Sequence, residues 1–482
     1  MNYRKIIFAT SIAVSLLAVQ SCTKFEDFGN TNNNPNATTS PITSALLTNA
    51  LSGIGNTVWG NGITVSGGLF AQFFSETQYT EASRYTKPVF NADAYYAGAM
   101  YDLQNIINYN SDPATAEIAA ANGSNANQIQ IARILKAYYF WIITDSYGDI
   151  PYFEALKGEG NLTYDKQSDI YPDLIKELKD AVDKFDGGAT VKGDILFSGN
   201  NTKWKKFANS MRLLMALRLS KINAALGKTE FAAALSHAAG VIESNSDNAG
   251  LVAPGGVFNH PLYQYYNITQ RDDYAVSTTV YDFLNANGDA RAAAFGSSTT
   301  GFPYGLTRDN AVAFATSNPN YARLLHPSKR TATSPINILS ASQIYLARAE
   351  AAQIGWTTEN VASMYSTGIM RSWEEWGVYN AAAFAAYLAK PAVDLASSPL
   401  TKIQTQQWLA FYPNGTQGWA NWRRTNVPAL TAAPGTGLPI IRRIPYGPND
   451  YNFNLENVTV AAAQYTVGGQ PDSQDAKVWW DQ

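Results

Sequence analysis

The chain has 482 residues, a formal net charge of −3 at pH 7 and a hydrophobic content of 46%. That acidic balance argues against a nucleic-acid binder, which shows a basic one, and the apolar content is enough for a sizeable core. The single cysteine rules out an internal disulfide, and the three histidines, His237, His260 and His326, are too scattered to suggest a zinc motif.

The amino terminus places the protein. Arg4 and Lys5 precede an apolar run from Ile6 to Val19, followed by the small Ser21 and then Cys22. This is the order of an export signal, and the run is shorter than the roughly 20 apolar residues that span a bilayer. Residues 1–21 are read as a lipoprotein signal peptide and Cys22 as the lipid anchor. The usual Leu-(Ala/Ser)-(Gly/Ala)-Cys lipobox is replaced by Val19-Gln20-Ser21, in which Gln20 is the departure. The alternative is plain secretion with a free cysteine, which leaves an unpaired thiol in an oxidising compartment. Each buried CH2 contributes roughly 0.8 kcal/mol, so one acyl chain holds marginally and two or more anchor stably. Residues 22–40 then form a flexible tether, whose run Asn32-Asn33-Asn34-Pro35-Asn36 has no apolar period. Residues 41–482 are read as a single domain.

Past the tether the pattern is helical. Gln128–Asp145 carries Ile131, Ile134, Leu135, Tyr138, Trp141 and Ile142 at helical spacing and stops at Gly148 and Pro151. A second stripe runs from Ile170 to Phe185. A third starts near Asn201 or Thr202 and runs through Trp204, Phe207 and Met211 to Met215. A fourth covers about Glu230–Glu243. Residues Leu251–Leu339 break the pattern, being rich in Gly, Pro, Asn and Tyr with one helix at Ser277–Asn285; such a stretch in a helical domain points to function. Helices resume at Ser342–Ile354, Asn360–Trp373, Ala381–Leu388 and Thr401–Leu409, and the end from Pro434 reads as loop. The expected class is mainly α, with consecutive helices packed as antiparallel pairs and long aromatic-rich irregular loops.

Catalytic templates fail. There is no His-Glu-x-x-His and no Gly-x-Ser-x-Gly. Gly227-Lys228-Thr229 mimics the end of a phosphate loop, but Ile222 stands where that loop needs glycine, so Gly227 reads as a helix end followed by a new start. Asp272-Asp273 and Glu374-Glu375 are the candidate carboxylate pairs for glycoside hydrolysis, but neighbours in sequence on a helix do not face each other. The basic groups Lys203-Lys205-Lys206, Arg423-Arg424 and Arg442-Arg443 could each bind an anion, but such groups are more often solvated faces or carboxylate partners.

Long motifs then carry a resemblance. They are Asp194-Ile195-Leu196-Phe197-Ser198-Gly199-Asn200 continuing to Trp204, Phe207, Asn209 and Arg212; Asp145-Ser146-Tyr147-Gly148-Asp149-Ile150-Pro151-Tyr152; Tyr345-Leu346-Ala347-Arg348-Ala349-Glu350; and Gln407-Trp408 leading to Trp419-Ala420-Asn421-Trp422-Arg423-Arg424. Together they resemble the SusD/RagB family of outer-membrane nutrient-binding lipoproteins, particularly its SusD-like branch, over nearly the whole chain after Cys22. The resemblance implies a tetratricopeptide-like scaffold of helix pairs. It implies a lipid-anchored position on the outer membrane facing the exterior, and a SusC-type TonB-dependent transporter as partner. It also implies capture of glycans or other nutrients without transforming them. The motifs themselves read as structural: Trp204, Phe207 and Met211 as core, Asn200 as a cap, and Arg212 as partner of a buried carboxylate.

Sugar rings present apolar faces edged by hydroxyls, which suits Tyr and Trp on loops with Arg, Asn and Asp beside them. The chain holds 28 Tyr and 11 Trp. The candidate ligand residues are Trp59, Tyr79, Arg84 and Tyr85 from one stretch, Tyr265, Tyr266, Arg271 and Tyr274 from another, and Tyr304. The sequence names no particular glycan, leaves bound calcium undecided and calls for no cofactor besides the lipid on Cys22. A glycan-active enzyme and a structural lid without ligand contact are the competing readings.

Overall fold

The computed structural model describes residues 42–58, 63–256 and 258–482. The readings of a signal peptide, a tether and a lipid on Cys22, and the candidate Trp59, lie outside the described residues. Thr43–Gln482 forms one compact unit.

The helices, in chain order, are α1 (Thr43–Ile54), α2 (Ile63–Phe70), α3 (Tyr101–Ser111), α4 (Asn125–Tyr147), α5 (Gln167–Asp183), α6 (Asn201–Arg218), α7 (Ala224–Leu235), α8 (Thr278–Asn287), α9 (Arg308–Ser317), α10 (Ala341–Gln353), α11 (Val361–Glu375), α12 (Ala381–Leu388), α13 (Pro399–Phe411), α14 (Gly415–Thr425), α15 (Pro448–Phe453) and α16 (Leu455–Ala463), besides shorter turns. Neighbours in sequence pack on one another, α3 on α4, α4 on α5, α5 on α6, α6 on α7 and α10 on α11, and α6 also meets α10. This is the expected mainly α scaffold of helix pairs. Two small antiparallel sheets join distant segments, β1 (Phe74–Glu76) with β3 (Tyr274–Val276) and β2 (Ala249–Val252) with β4 (Pro335–Leu339).

The starts are set by side chains that satisfy orphan N–H groups. Ser124 accepts from Asn127 N at α4, and Asn200 accepts from Lys203 N at α6, so the cap is Asn200 itself, one residue before the expected start. Gly148 ends α4 at φ 88. Asp194 ties down the turn before α6, accepting from the N–H groups of Leu196, Phe197 and Gly199 and from Trp204 Nε1 at 2.8 Å. The long sequence motif is therefore a folding device.

Four expectations need correction. The fourth stripe, expected over Glu230–Glu243, is α7, which begins at Ala224 and ends at Leu235. Gly227 lies inside it, where a Cβ would sit 2.6 Å from the Trp356 ring and 2.7 Å from Ala216 O. Glycine is there for a close approach to α6, not as a stop signal. The stretch Leu251–Leu339 is more ordered than expected, with α9 and two strands besides α8. The terminal region contains α15 and α16, and Trp480 is fully buried, donating from Nε1 to the buried Asp145 at 2.8 Å.

Of the four paired arginines, three meet carboxylates, and Arg423, fully buried, donates to the carbonyls of Asp145 and Arg442. Arg424 meets Glu350, Arg443 meets Asp472 at 2.8 Å, Arg442 meets Asp481, and Arg212 meets Glu230 at 3.0 Å. Helix α2 crosses α14 so closely that a Cβ on Gly67 would lie 2.8 Å from the backbone carbon of Gly415. Backbone cannot rotate away, so Gly67→Ala is expected to destabilise the protein by about 1–3 kcal/mol or more. A urea midpoint unchanged from the parent would show that the two helices do not touch.

Candidate ligand-binding surface

Strand pairing builds the site. β1 and β3 run antiparallel with Glu76 opposite Tyr274, and the ladder continues as Thr77 N donates to Asp273 O at 2.9 Å. This brings Gln78 and Tyr79 to the segment Tyr265–Tyr274, although Gln78 and Asp273 are 195 residues apart.

Asp273 is the hub. It is 4% exposed, and its carboxylate accepts from Gln78 Nε2, from Tyr265 Oη at 2.9 Å and from Arg271 Nε at 2.7 Å. A buried carboxylate held by several donors fixes them in return. Tyr265 packs edge-on to Tyr266, centroids 5.1 Å apart, and tilted against Tyr274 at 5.7 Å. Tyr266 donates to Tyr274 O and accepts from Leu324 N, and Arg330 lies 4.1 Å from its ring centroid. On the outside stands Tyr79, 46% exposed, flanked by the guanidinium carbons of Arg308 at 5.3 Å and Arg271 at 5.9 Å from its ring centroid. The arrangement offers an open aromatic ring with cationic hydrogen-bond donors beside it, held on a rigid base.

The candidates therefore divide. Tyr79, Tyr265, Tyr266, Arg271 and Tyr274 come together. Tyr85 and Tyr304, 1% and 8% exposed, are corrected to interior residues. Tyr85 Oη accepts from Ala433 N at 3.0 Å, and its carbonyl accepts from Gln474. Burial pushes both phenols up. Arg84 clamps loops from behind, donating to Gly305 O at 2.7 Å and Pro434 O at 3.1 Å. Arg308 was not among the candidates; it opens α9, in a stretch read as irregular.

The Asp272-Asp273 pair is no glycosidase pair. Asp272 is held by Arg323, with Nη2 at 2.6 Å, while Asp273 is held by Arg271. Below the surface Glu76, 7% exposed, accepts from Ser83 N at 2.8 Å and Ser83 Oγ at 2.7 Å through one oxygen. Burial raises its carboxyl to about 7, against those two hydrogen bonds. Among the described residues no group of three or more His, Cys, Asp or Glu is placed to hold a metal ion. Among them, too, no helix is long and apolar enough to cross a membrane.

Comparison with known proteins agrees with this architecture. A solved chitin-binding protein is 29% identical, with 91% of this chain and 99% of that one covered and a TM-score of 0.76. A SusD homolog from Bacteroides uniformis is 24% identical, covering 91% and 99% at TM-score 0.75. A chitin-binding SusD homolog from Flavobacterium johnsoniae is 22% identical, covering 91% and 98% at TM-score 0.75. The last two speak for the fold alone. No curated protein matches the chain. The SusD-like family profile, described as starch-binding and associating with the outer membrane, matches residues 35–447. A match of that extent makes the chain a member of the SusD-like family.

Proposed function

We propose that the protein captures a glycan at the cell surface and passes it to a partner TonB-dependent transporter of the SusC type, while anchored to the outer membrane through a lipid on Cys22. The observation that carries the capture step is the exposed Tyr79 ring between Arg271 and Arg308, fixed by the Asp273 hub. A ring of this kind takes the apolar face of a sugar, and the guanidinium groups take its hydroxyls. The family description names binding and an outer-membrane association, and the 29% identical relative is named for binding chitin. The protein is read as a binder and not as an enzyme. Residues 1–21 are the signal peptide, 22–40 the tether and 41–482 the binding domain in this reading.

The relative makes chito-oligosaccharides the first ligands to titrate, with malto-oligosaccharides second. Tyr79→Ala is expected to weaken binding of the bound oligosaccharide by about tenfold, the effect of losing roughly 1.4 kcal/mol. Its exposure leaves the melting temperature unchanged. Undiminished affinity in a Tyr79→Ala, Tyr265→Ala double variant rules the surface out. Turnover of the oligosaccharide by purified protein rules out the binder.

A further inference from the structure

Away from the Tyr79 surface, a cavity of ≈ 440 Å³ lies between the π-helical turn Tyr96–Met100, the loop 150–164 and α15. It shares no lining residue with the surface described above. Its size is that of a small-molecule site. The rings of Tyr96, Tyr101, Tyr147, Tyr164, Tyr446 and Phe453 line it.

Four of those rings are pinned by their hydroxyls. Tyr96 donates to Pro151 O at 2.8 Å, Tyr147 to Phe90 O at 3.1 Å, Tyr446 to Asp149 O at 2.8 Å and Tyr164 to Asp450 Oδ1 at 2.5 Å. The rings are thus set before any ligand arrives, and preorganisation of this kind lowers the entropic cost of binding. At the open rim stand Tyr101 and Phe453, 48% and 76% exposed, beside the exposed Asp93 and Glu159. The backbone around it is unusual. A π-turn, here with Gly98 at φ −100 and ψ −110, is a frequent companion of functional sites. Leu156 and Asn161 on the facing loop are held at φ 67 and 56, where side-chain-bearing residues are strained.

Charge selects the ligand class. Asp93, Glu159 and Asp450 line the cavity, and no Lys, Arg or His does. Arg443 lies 4.5 Å from the Tyr446 ring centroid, but it is fully buried and already paired with Asp472. Burial raises the Asp450 carboxyl against the hydrogen bonds from Tyr164 and Gly447 N, and the charges of Asp93 and Asp472 add to the rise. We infer that this cavity binds a small organic cation with an apolar body, the rings covering the body and the carboxylates facing the charge. Aromatic faces attract such cations through their quadrupole, an anion meets like charge, and a neutral sugar gains only the rings.

The test is calorimetric titration of the purified protein with three probes that share a phenyl ring and differ in charge: benzyltrimethylammonium, benzyl alcohol and benzenesulfonate. Benzyltrimethylammonium is expected to saturate with a Kd of about 1 mM or tighter and benzenesulfonate to bind at least about tenfold more weakly. Added salt should weaken the cation selectively. Tyr101→Ala and Phe453→Ala, both at the exposed mouth, should each weaken the cation by about three- to tenfold at unchanged melting temperature. Tyr79→Ala should leave it untouched, which separates this site from the proposed glycan surface. Equal binding of cation and anion overturns the inference. So does a lack of saturation by about 10 mM, or unchanged affinity in both mouth variants. An oligosaccharide whose binding falls in those variants while the cation's does not makes the cavity a glycan site instead.

Discussion

Glu350→Ala is expected to lower the unfolding free energy by about 3–5 kcal/mol, the usual cost of breaking a buried ion pair from one side. Glu350 and Arg424 are each 2% exposed. Their forked contact is bidentate, Nη1 to Oε1 at 2.8 Å and Nη2 to Oε2 at 2.7 Å. Gln404 and Gln407 donate to the same two oxygens, each at 2.8 Å. The cluster ties α10, α13 and α14 at one point. Burial alone would raise the Glu350 carboxyl, but the Arg424 charge and these hydrogen bonds outweigh it and hold it below the ordinary range. Removing the carboxylate leaves a guanidinium in the core with no countercharge, which is why the loss exceeds that of a surface pair, worth about 0–1 kcal/mol. Urea unfolding at pH 7 reads the effect. The double variant Glu350→Leu, Arg424→Met should recover most of it, because the orphaned charge is gone as well. A single variant within about 1 kcal/mol of the parent means that the pair is not buried as described.

Glu350 and Arg424 also show what a sequence can disclose. Both fall in motifs that carry the family resemblance, and a structural reading of those motifs was open from their helical spacing. Their partnership was not, since no local pattern links positions 74 residues apart. The long helices α4, α5 and α6 are legible because their apolar stripes repeat over several turns. Helix α2, with the sequence Ile-Thr-Val-Ser-Gly-Gly-Leu-Phe, is not. Its glycines and β-branched residues are poor helix formers, and the close crossing at Gly67 supplies what propensity lacks. The same glycine logic misplaced the start of α7. At the ligand surface, the residue types were readable and their assembly was not. Gln78 meets Asp273, and Tyr79 meets Arg271, where β1 pairs with β3. Tyr85 looked like its neighbour Tyr79, but a hydroxyl bonded to Ala433 N and a buried ring set it apart. The tyrosines of the cavity by α15 come from stretches as distant as Tyr96 and Tyr446, and only Tyr147 among them falls in a motif that the sequence marks.

Glu76 gives the second large effect, and its sign is fixed by the direction of its shift. The carboxyl is raised by burial from 4.5 to about 7, with the Glu81 charge adding and the two Ser83 hydrogen bonds opposing. The folded protein therefore keeps this proton to a higher pH than the unfolded chain does. Between about 4.5 and about 7 unfolding releases a proton, so stability falls as pH rises through that window and levels off above it. The full difference is about 3 kcal/mol, at 1.36 kcal/mol for each pH unit between the two values. Glu375, raised to about 7 chiefly by burial, adds a second decline of the same sign. Glu76→Gln copies the protonated acid. Both Ser83 bonds go to one oxygen, Oε2, so an amide oxygen can accept them while the amide nitrogen stands where the acidic proton would be. The variant is expected to match the parent at pH 4.5 and to be more stable by about 2–3 kcal/mol at pH 8, with the remaining slope left to Glu375. Thermal unfolding of the pair across pH 4.5–8 measures the difference directly, and other titrating groups cancel in it. Two parallel curves would show that Glu76 ionises in the folded protein as freely as in the unfolded chain. A gap that opens toward high pH would place a neutral carboxylic acid two residues before Gln78, under the loop that carries Tyr79.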